Sequence, residues 1–233
     1  SHAMAFSAAM GHANQVDSPE EHYKEIIEAS YGMCDEKLVR ILAEEAPGEI
    51  LSLDKLGVPF DKKGDRFLQY LGDAAHIARC VSSDIETSLA ILRVLESEVR
   101  KRDIRVLDGV MVLDLMLDEH GVMGAIALNI EDRSKFLISC RSIVIASGGA
   151  GQIYSMNSFT GEMTGDGYAI AYRVGAPLIN MEYIQIGPTT VYPKRGFAVS
   201  GFLWFLNPRL RNHRGEEFVQ DYCPPGIDAI EAI

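Results

Sequence analysis

The sequence predicts an α/β fold, and three observations carry that prediction. Residues 142–151 combine a short β-branched apolar run with a cluster of glycines, which is typical of a strand buried on both faces that ends in a bare loop. Residues 104–140 contain apolar runs separated by turn residues, which indicates a β-meander. Residues 18–102 carry helix caps and helical apolar spacing. With 233 residues, the chain can bury a full core, as one large domain or two small ones.

Composition excludes several classes of function. The net charge of −11 disfavours nucleic acid as a partner, because affinity for a phosphate backbone depends on lysine and arginine. No apolar run approaches the roughly 18 residues that span a bilayer, and the N-terminus has no basic segment followed by an apolar one. The sequence therefore predicts a soluble, cytoplasmic protein that associates with a membrane only through a partner.

The cysteine and histidine positions predict neither disulfides nor a metal site. The four cysteines lie far apart without a Cys-x-x-Cys pair, and the six histidines show no ligand spacing. We expect reduced thiols, buried or idle, at Cys34, Cys80, Cys140 and Cys223.

The N-terminal part begins with small residues, at 5–14, that permit close approach by another group. A first helix should follow, because Ser18 can cap it and Pro19 suits its first position. Glu21 can complete a capping box with Ser18. This helix is expected to run to about Tyr31.

A second helix is expected to begin after its cap, Asp35, and to stop at Pro47, which has no backbone N–H. A short third helix should end at Gly57. Residues 58–81 predict a hairpin or an irregular loop. The apolar face of the second helix is predicted to consist of Leu38, Val39, Leu42 and Ala46.

A long helix and the meander come next. Ser83 and Glu86 form a second capping-box pattern, so this helix should begin there and end near Arg102. Its apolar face is predicted to consist of Ile85, Leu89, Leu92, Leu95 and Val99. The strands of the meander are predicted over Ile104–Leu107, Val110–Leu117, Val122–Ile130 and Phe136–Cys140.

The glycine loop after the predicted core strand, Ser142–Ala146, is the first candidate site. At the carboxyl end of a strand, such a loop lets a ligand lie against the main chain. The pair Gly148–Gly149 also suits a plain tight turn, so both readings stay open.

A second candidate lies at Thr164–Gly167, which leads into a short helix that ends at Gly175. The N-terminus of this helix could favour an anion or a ribose-phosphate. Asp166 either belongs to that site or only caps the helix. A strand is predicted after it, over Pro177–Ile186.

Six motifs combine into a resemblance. They are residues 146–151 (Ala-Ser-Gly-Gly-Ala-Gly), 164–167 (Thr-Gly-Asp-Gly), 171–176 (Ala-Tyr-Arg-Val-Gly-Ala), 181–185 (Met-Glu-Tyr-Ile-Gln), 8–14 (Ala-Ala-Met-Gly-His-Ala-Asn) and 212–218 (Asn-His-Arg-Gly-Glu-Glu-Phe). In this order and spacing they resemble the flavoprotein family of fumarate reductase, succinate dehydrogenase and L-aspartate oxidase. The fifth motif is similar to that family's Ala-Ala-Gln-Gly-Gly-x-Asn flavin loop. The resemblance covers most of the chain.

The resemblance implies a bound FAD. It implies a partial FAD-binding, Rossmann-like layer over residues 5–150, with the helical segment and the meander. Residues 151–233 would form a flavin-contacting loop and helix and the start of an α+β capping, substrate-binding domain. It also implies hydride transfer between the flavin and a small organic acid or another unsaturated substrate, with a partner that is an electron-transfer subunit. The residues implied to lie near FAD are Ser7, Ala8, Gly11, Val110, Ser147, Gly148, Gly149 and Asp166.

The chain departs from the family in the substrate pocket. Where the family has His-Pro-Thr, this chain begins the motif with Gly187, and the family's proton-donating arginine falls on Trp204. Glycine cannot replace an imidazole donor and tryptophan cannot deliver that proton, so no catalytic residue is assigned. Trp204 suits a pocket wall, and a family glycine pair becomes Gly72–Asp73. The residues left open as substrate-facing or merely solvated are Gln69, Tyr70, Arg209 and Arg211.

The chain contains no Gly-x-Gly-x-x-Gly, the turn that seats a pyrophosphate on a helix N-terminus. We therefore expect an internal piece of a larger flavoprotein, inactive in isolation. The alternative is a non-catalytic capping or interaction domain that does not bind FAD on its own and whose helices, at 18–56, and meander bind a partner.

Overall fold

The computed structural model describes residues 5–72, 75–84, 86–184 and 209–222. The chain divides into two compact units, Ser1–Val106 and Leu107–Ile233, which we describe separately. The division predicted from sequence, at residues 5–150 and 151–233, stays a prediction. Among the described residues, no helix has the length and apolar character needed to cross a membrane. The described cysteines are all free thiols, as predicted, and they are Cys34, Cys80 and Cys140.

The first unit combines three helices with five very short strands. Its first helix has the predicted cap, since the Ser18 hydroxyl accepts a hydrogen bond from the Glu21 N–H at 3.2 Å. The Glu21 carboxylate pairs with Lys24 at 2.7 Å. In chain order the elements are β1 (Phe6–Ser7), α1 (Pro19–Ala29), α2 (Glu36–Leu56), β2 (Lys62–Lys63), β3 (Arg66–Phe67), β4 (Gln69–Tyr70), β5 (Cys80–Val81) and α3 (Thr87–Lys101).

Helix α2 runs unbroken through Pro47, so the predicted interruption is wrong. A proline inside a helix costs about 3 kcal/mol, because it removes one backbone hydrogen bond and crowds the preceding turn. Here Ala43 and Ile50, one on each side of Pro47, are both buried on the same face of the helix. Packing of that face therefore holds the two halves in one helix. The cap at Asp35 and the left-handed Gly57, with φ of 102°, are as predicted.

Helix α3 starts at Thr87 and not at the predicted Ser83. The Thr87 hydroxyl is buried and accepts a hydrogen bond from the Ser83 N–H at 2.9 Å, which fixes the turn ahead of the helix. The predicted apolar face is also displaced, because Leu92 is 55% exposed and Leu95 is 40% exposed. The residues of α3 that pack on the core are Ala90, Ile91 and Val94.

The core of the first unit forms around a three-stranded antiparallel sheet, in the order β1, β5, β4. Strands β2 and β3 form the hairpin that the sequence left as one of two alternatives. The sheet and helix α2 meet in one apolar cluster, because their buried side chains contact each other. The buried members of that cluster are Ala8, Ile50, Val58, Phe60, Phe67 and Val81.

The second unit contains the predicted meander. Its strands are β6 (Val110–Asp118), β7 (Gly121–Asn129) and β8 (Lys135–Ser139), all antiparallel. Ala125 and Ala127 on the central strand are buried. The strand predicted over Ile104–Leu107 is absent from the described residues, and Ile104 and Val106 are more than half exposed.

The predicted core strand Ser142–Ala146 is not a strand in the part of the chain that the structure describes. Val144 is 90% exposed, whereas the prediction required burial on both faces. A strand is defined by the ladder it shares with a neighbour, and no described residue pairs with this segment. The strand predicted over Pro177–Ile186 is likewise absent up to residue 184, and Ile179 is 69% exposed.

Helix α4 (Asp166–Arg173) is attached to the meander at a β-bulge. The register of β6 against β7 shifts between Val112 and Asp114, which leaves Leu113 outside the ladder. The Arg173 guanidinium donates to the Leu113 carbonyl and to the Asp114 carboxylate, both at 3.0 Å. The bulge therefore supplies the two acceptors that orient the C-terminal end of α4.

Candidate functional site

Three of the predicted cofactor-contacting residues, Ser7, Ala8 and Gly11, lie in one loop of the first unit. Ala8 is fully buried, and its N–H donates to the Arg79 carbonyl at 3.0 Å. Gly11 has φ of +65°, a left-handed conformation that a side chain disfavours. The Ser7 hydroxyl lies 3.4 Å from the Cys80 thiol. The loop is thus fixed at both ends by the small sheet and by a glycine turn.

Gln69 clamps this loop through both ends of its carboxamide. Its amide nitrogen donates to the carbonyls of Ala8, at 2.9 Å, and Arg79, at 3.2 Å. Its carbonyl oxygen accepts from the N–H groups of His12, at 2.9 Å, and Ala13, at 3.1 Å. These four hydrogen bonds occupy the side chain. Of the two alternatives left open for Gln69, a substrate-facing or a solvated residue, the structure supports neither.

A buried ion cluster lies directly behind the loop. Arg79 is 1% exposed, and its guanidinium binds the fully buried Asp17 carboxylate at 2.8 Å and also pairs with Glu25. Two carboxylates thus surround one guanidinium in a site from which water is largely excluded. Because breaking one member of such a cluster leaves an uncompensated buried charge, the cluster is a rigid support for the Arg79 backbone.

His22 is the fourth member of this cluster. It is 5% exposed, and its Nδ1 atom has no hydrogen-bond partner among the described residues, as is also true of the Asp17 Oδ2 atom. Burial and the positive charge of Arg79 lower the pKa of His22, and the Asp17 carboxylate only partly opposes them. The ring is therefore held neutral at physiological pH.

The second unit brings together two other predicted regions, the Ser147–Gly149 turn and the first turn of α4. They share a pocket of about 250 Å³. Gly148 has φ of +77°, so this turn needs its glycine. The residues that line the pocket are Ile145, Ala146, Ser147, Gly148, Gly167, Tyr168 and Ala171.

Close packing in this pocket depends on glycines at the start of α4. A Cβ atom on Gly167 would lie 2.0 Å from the Ser147 hydroxyl oxygen, and one on Gly165 would lie 2.9 Å from the Cβ of Ala150. A Cβ on Gly149, by contrast, would meet nothing within 4 Å. The helix therefore approaches the loop closely while the main chain at Gly149 faces open space.

The remaining predicted residues of the second unit are Asp166 and Val110. Asp166 is exposed, is the first residue of α4, and accepts a hydrogen bond from the Thr164 hydroxyl. The cap of α4 is Gly165, with φ of 83°, so the alternative reading of Asp166 as the helix cap is wrong. Val110 begins strand β6 and pairs with Asn129.

Sequence reasoning missed the clamp and the ion cluster. The signal for the cluster was present, since Asp17, His22 and Glu25 lie at the start of one helix, but their partner Arg79 is distant in sequence. Arg209 and Arg211 both contact the Glu217 carboxylate, at 3.2 Å, and both are largely exposed. The positions that fall outside the described residues are Asp73, Gly187 and Trp204.

The described residues fit parts of a dinucleotide such as FAD. The pocket is smaller than the roughly 300 to 1,000 Å³ of sites that enclose a whole drug-sized ligand, so it can enclose only one portion of the cofactor. Its wall is exposed main chain with open space at Gly149. Such a bare backbone is the surface on which nucleotide groups usually bind.

Comparison with known proteins points to a single family. The family model that matches is described as an FAD binding domain, and it matches residues 2–225. One of the relatives, from the fumarate reductase (CoM/CoB) of Methanothermobacter marburgensis, is 34% identical over 226 residues, which is 95% of this chain and 41% of that protein. L-aspartate oxidase of Nostoc is 33% identical over 215 residues, 90% of this chain and 37% of that protein.

Solved structures agree with these relatives. A quinol-fumarate reductase with menaquinol molecules matches with a TM-score of 0.84 and 25% identity, over 99% of this chain and 42% of that chain. Mycobacterium smegmatis Sdh1 in complex with UQ1 matches with a TM-score of 0.81 and 27% identity, over 95% of this chain and 40% of that chain. The mixed α/β fold is therefore confirmed, and the chain spans about two-fifths of the length of these relatives.

Proposed function

This chain belongs to the family of FAD binding domains, and we propose that it serves an FAD-dependent oxidoreductase which transfers a hydride between flavin and a small organic acid. FAD is the cofactor of this family. When bound, it accepts or donates the hydride, and the residues of the chain bind and orient it. Relatives named as fumarate reductases and L-aspartate oxidases support the choice of a small acid.

The observation that carries the proposal is the pocket between the Ser147–Gly149 turn and the first turn of α4. Its glycines keep the loop bare, and the N–H groups at the start of α4 favour an anionic group. We propose that Ser147, Gly148, Gly149 and Asp166, together with Val110 at the start of β6, contact FAD. In the first unit we propose the same role for Ser7, Ala8 and Gly11.

We further propose a cytoplasmic location and, for the partner, an electron-transfer subunit. Several relatives are named as subunits, which supports a multi-subunit protein. The free state of the described cysteines suits a reducing compartment. No catalytic residue is assigned.

The proposal is tested by titrating the chain with FAD and following the quenching of flavin fluorescence. The decisive variant is Gly149→Val, because its side chain enters open space and leaves the fold intact while it occupies the proposed cofactor position. We expect FAD affinity to fall by tenfold or more. The matched control is Gly161→Val, since Gly161 also has no neighbour within 4 Å of a Cβ but lies outside the pocket. Equal affinities of both variants and the wild type would contradict the pocket.

Absence of FAD binding by the wild-type chain would favour the alternative of a non-catalytic capping or interaction domain. If FAD binds, hydride transfer is tested next. The bound flavin is reduced without oxygen, fumarate is added, and the return of the oxidised flavin absorbance is recorded. No reoxidation by fumarate or by other small unsaturated acids would contradict the proposed reaction.

A further inference from the structure

His12 occupies a fixed orientation at the end of the Ser7–Gly11 loop. Its ring stacks on Phe67, with centroids 5.7 Å apart and planes 16° apart. Its Nδ1 atom accepts a hydrogen bond from the Phe67 N–H at 2.9 Å. A nitrogen that accepts from a backbone N–H carries no proton, so the proton of the neutral ring lies on Nε2.

Most other donors of this loop are already used inside the protein. The N–H of Ala8 donates to Arg79 and the N–H of Met10 donates to Ala8. The N–H groups of His12 and Ala13 donate to the Gln69 side chain. The Nε2–H of the half-buried His12 has no acceptor among the described residues, so this donor is directed to something other than the described chain.

We propose that the His12 Nε2–H is a hydrogen-bond donor to an oxygen atom of the ligand held by the Ser7–Gly11 loop. This inference rests on the proposed function, because it concerns the same cofactor loop. The shared chemistry of the acceptor is a carbonyl or carboxylate oxygen. Its source is either the flavin ring of FAD or the carboxylate of an organic acid bound beside it.

The geometry makes this donor effective. The stack on Phe67 and the backbone hydrogen bond fix both torsions of the side chain before any ligand arrives, so little side-chain entropy is lost on binding. They also fix the tautomer, which keeps the Nε2 proton in place for donation. His12 is thus a ligand-binding residue that the glycine-rich sequence of this loop motif does not indicate.

The first measurement is the imidazole nitrogen NMR shifts of the chain with isotope-labelled histidines. The free chain should show His12 with the proton on Nε2. Addition of FAD alone should move the Nε2 signal if the acceptor is a flavin carbonyl. If the signal moves only when succinate is added to the FAD complex, the acceptor is a carboxylate. A proton on Nδ1 in the free chain, or no movement in either titration, overturns the inference.

Two substitutions separate ligand binding from a structural role. In His12→Asn, the amide oxygen takes the place of Nδ1 and still accepts from the Phe67 N–H, but no donor reaches as far as Nε2. In His12→Gln, the amide nitrogen reaches the position of Nε2, while the acceptor for Phe67 is lost. For the ligand that moves the Nε2 signal, we expect His12→Asn to bind roughly three- to tenfold more weakly, and His12→Gln to stay closer to wild type.

The opposite order of affinities overturns the inference and assigns His12 a purely structural role. Urea unfolding supplies the independent readout, since His12→Asn should keep wild-type stability and His12→Gln should lose some. Failure of the proposed function is recognised separately, because the wild-type chain then binds no FAD and the inference falls with it. If FAD binds normally and neither variant alters the binding of FAD or succinate, only the inference about His12 fails.

Discussion

The two candidate cofactor loops are held in place by different physical means. The Ser7–Gly11 loop of the first unit is fixed by hydrogen bonds from Gln69 and by a carbonyl that rests on the buried Arg79–Asp17 pair. The Ser147–Gly149 turn of the second unit has exposed residues and no buried ion pair among the described residues. It is shaped by glycines that admit close packing of α4.

This difference predicts different sensitivities. A loop supported by buried charge should respond strongly to the loss of a charge and to pH, because unpaired charges are costly where water is excluded. A loop supported by shape should tolerate charge changes and respond to added atoms. The predictions that follow test this contrast.

The largest effect is expected for Arg79→Met. The substitution leaves the carboxylates of Asp17 and Glu25 buried without their cation. We expect the free energy of unfolding of the first unit to fall by about 3–5 kcal/mol, measured by urea denaturation. The control is Lys101→Ala, which breaks an exposed pair with Glu98 and should change stability little.

A triple variant identifies the cause of that loss. In the Arg79→Met background, Asp17→Asn and Glu25→Gln remove both orphaned charges, so most of the lost stability should return. No recovery would mean that Arg79 acts through packing and hydrogen bonds to its stem and not through its charge.

A smaller effect is expected for Gly165→Ala in the second unit. Gly165 has φ of +83°, and its added Cβ would lie 2.9 Å from the Cβ of Ala150, which cannot rotate away. We expect a loss of about 1–3 kcal/mol from the combined backbone strain and overpacking. Gly161→Ala is the matched control, because Gly161 has neither a positive φ nor a close neighbour. Equal stabilities of the two variants would show that shape does not hold this turn.

Local signals predicted the helices and the meander well, because caps and turns act over a few residues. Ser18, Asp35 and Gly57 mark their helix ends as expected, and the turns at residues 119–121 and 131–133 separate the strands of the meander. The interruption at Pro47 failed because burial of one helix face outweighs the local cost of proline.

The site was less predictable, since its support comes from contacts distant in sequence. Ser147, Gly148 and the start of α4 were correctly named, and they do share a pocket. The core strand at residues 142–146 failed because a strand depends on a partner that its own letters do not encode. Gln69 and Arg79 lie more than fifty residues from the loop they support, so periodicity and motif gave no signal for them.

The smallest effect concerns the proton on His22. Burial and the charge of Arg79 lower its pKa below the ordinary value of 6.5 in the folded chain, so the unfolded chain binds the proton more readily. This contribution to stability is complete above pH 6.5 and is lost as the pH falls through the lowered pKa. Urea unfolding from pH 8 to pH 5 should therefore show a shallower decline for His22→Gln than for wild type. His120→Gln, whose parent side chain is 84% exposed, should follow the wild-type curve, and coincident curves for all three proteins would exclude His22 as the titrating group.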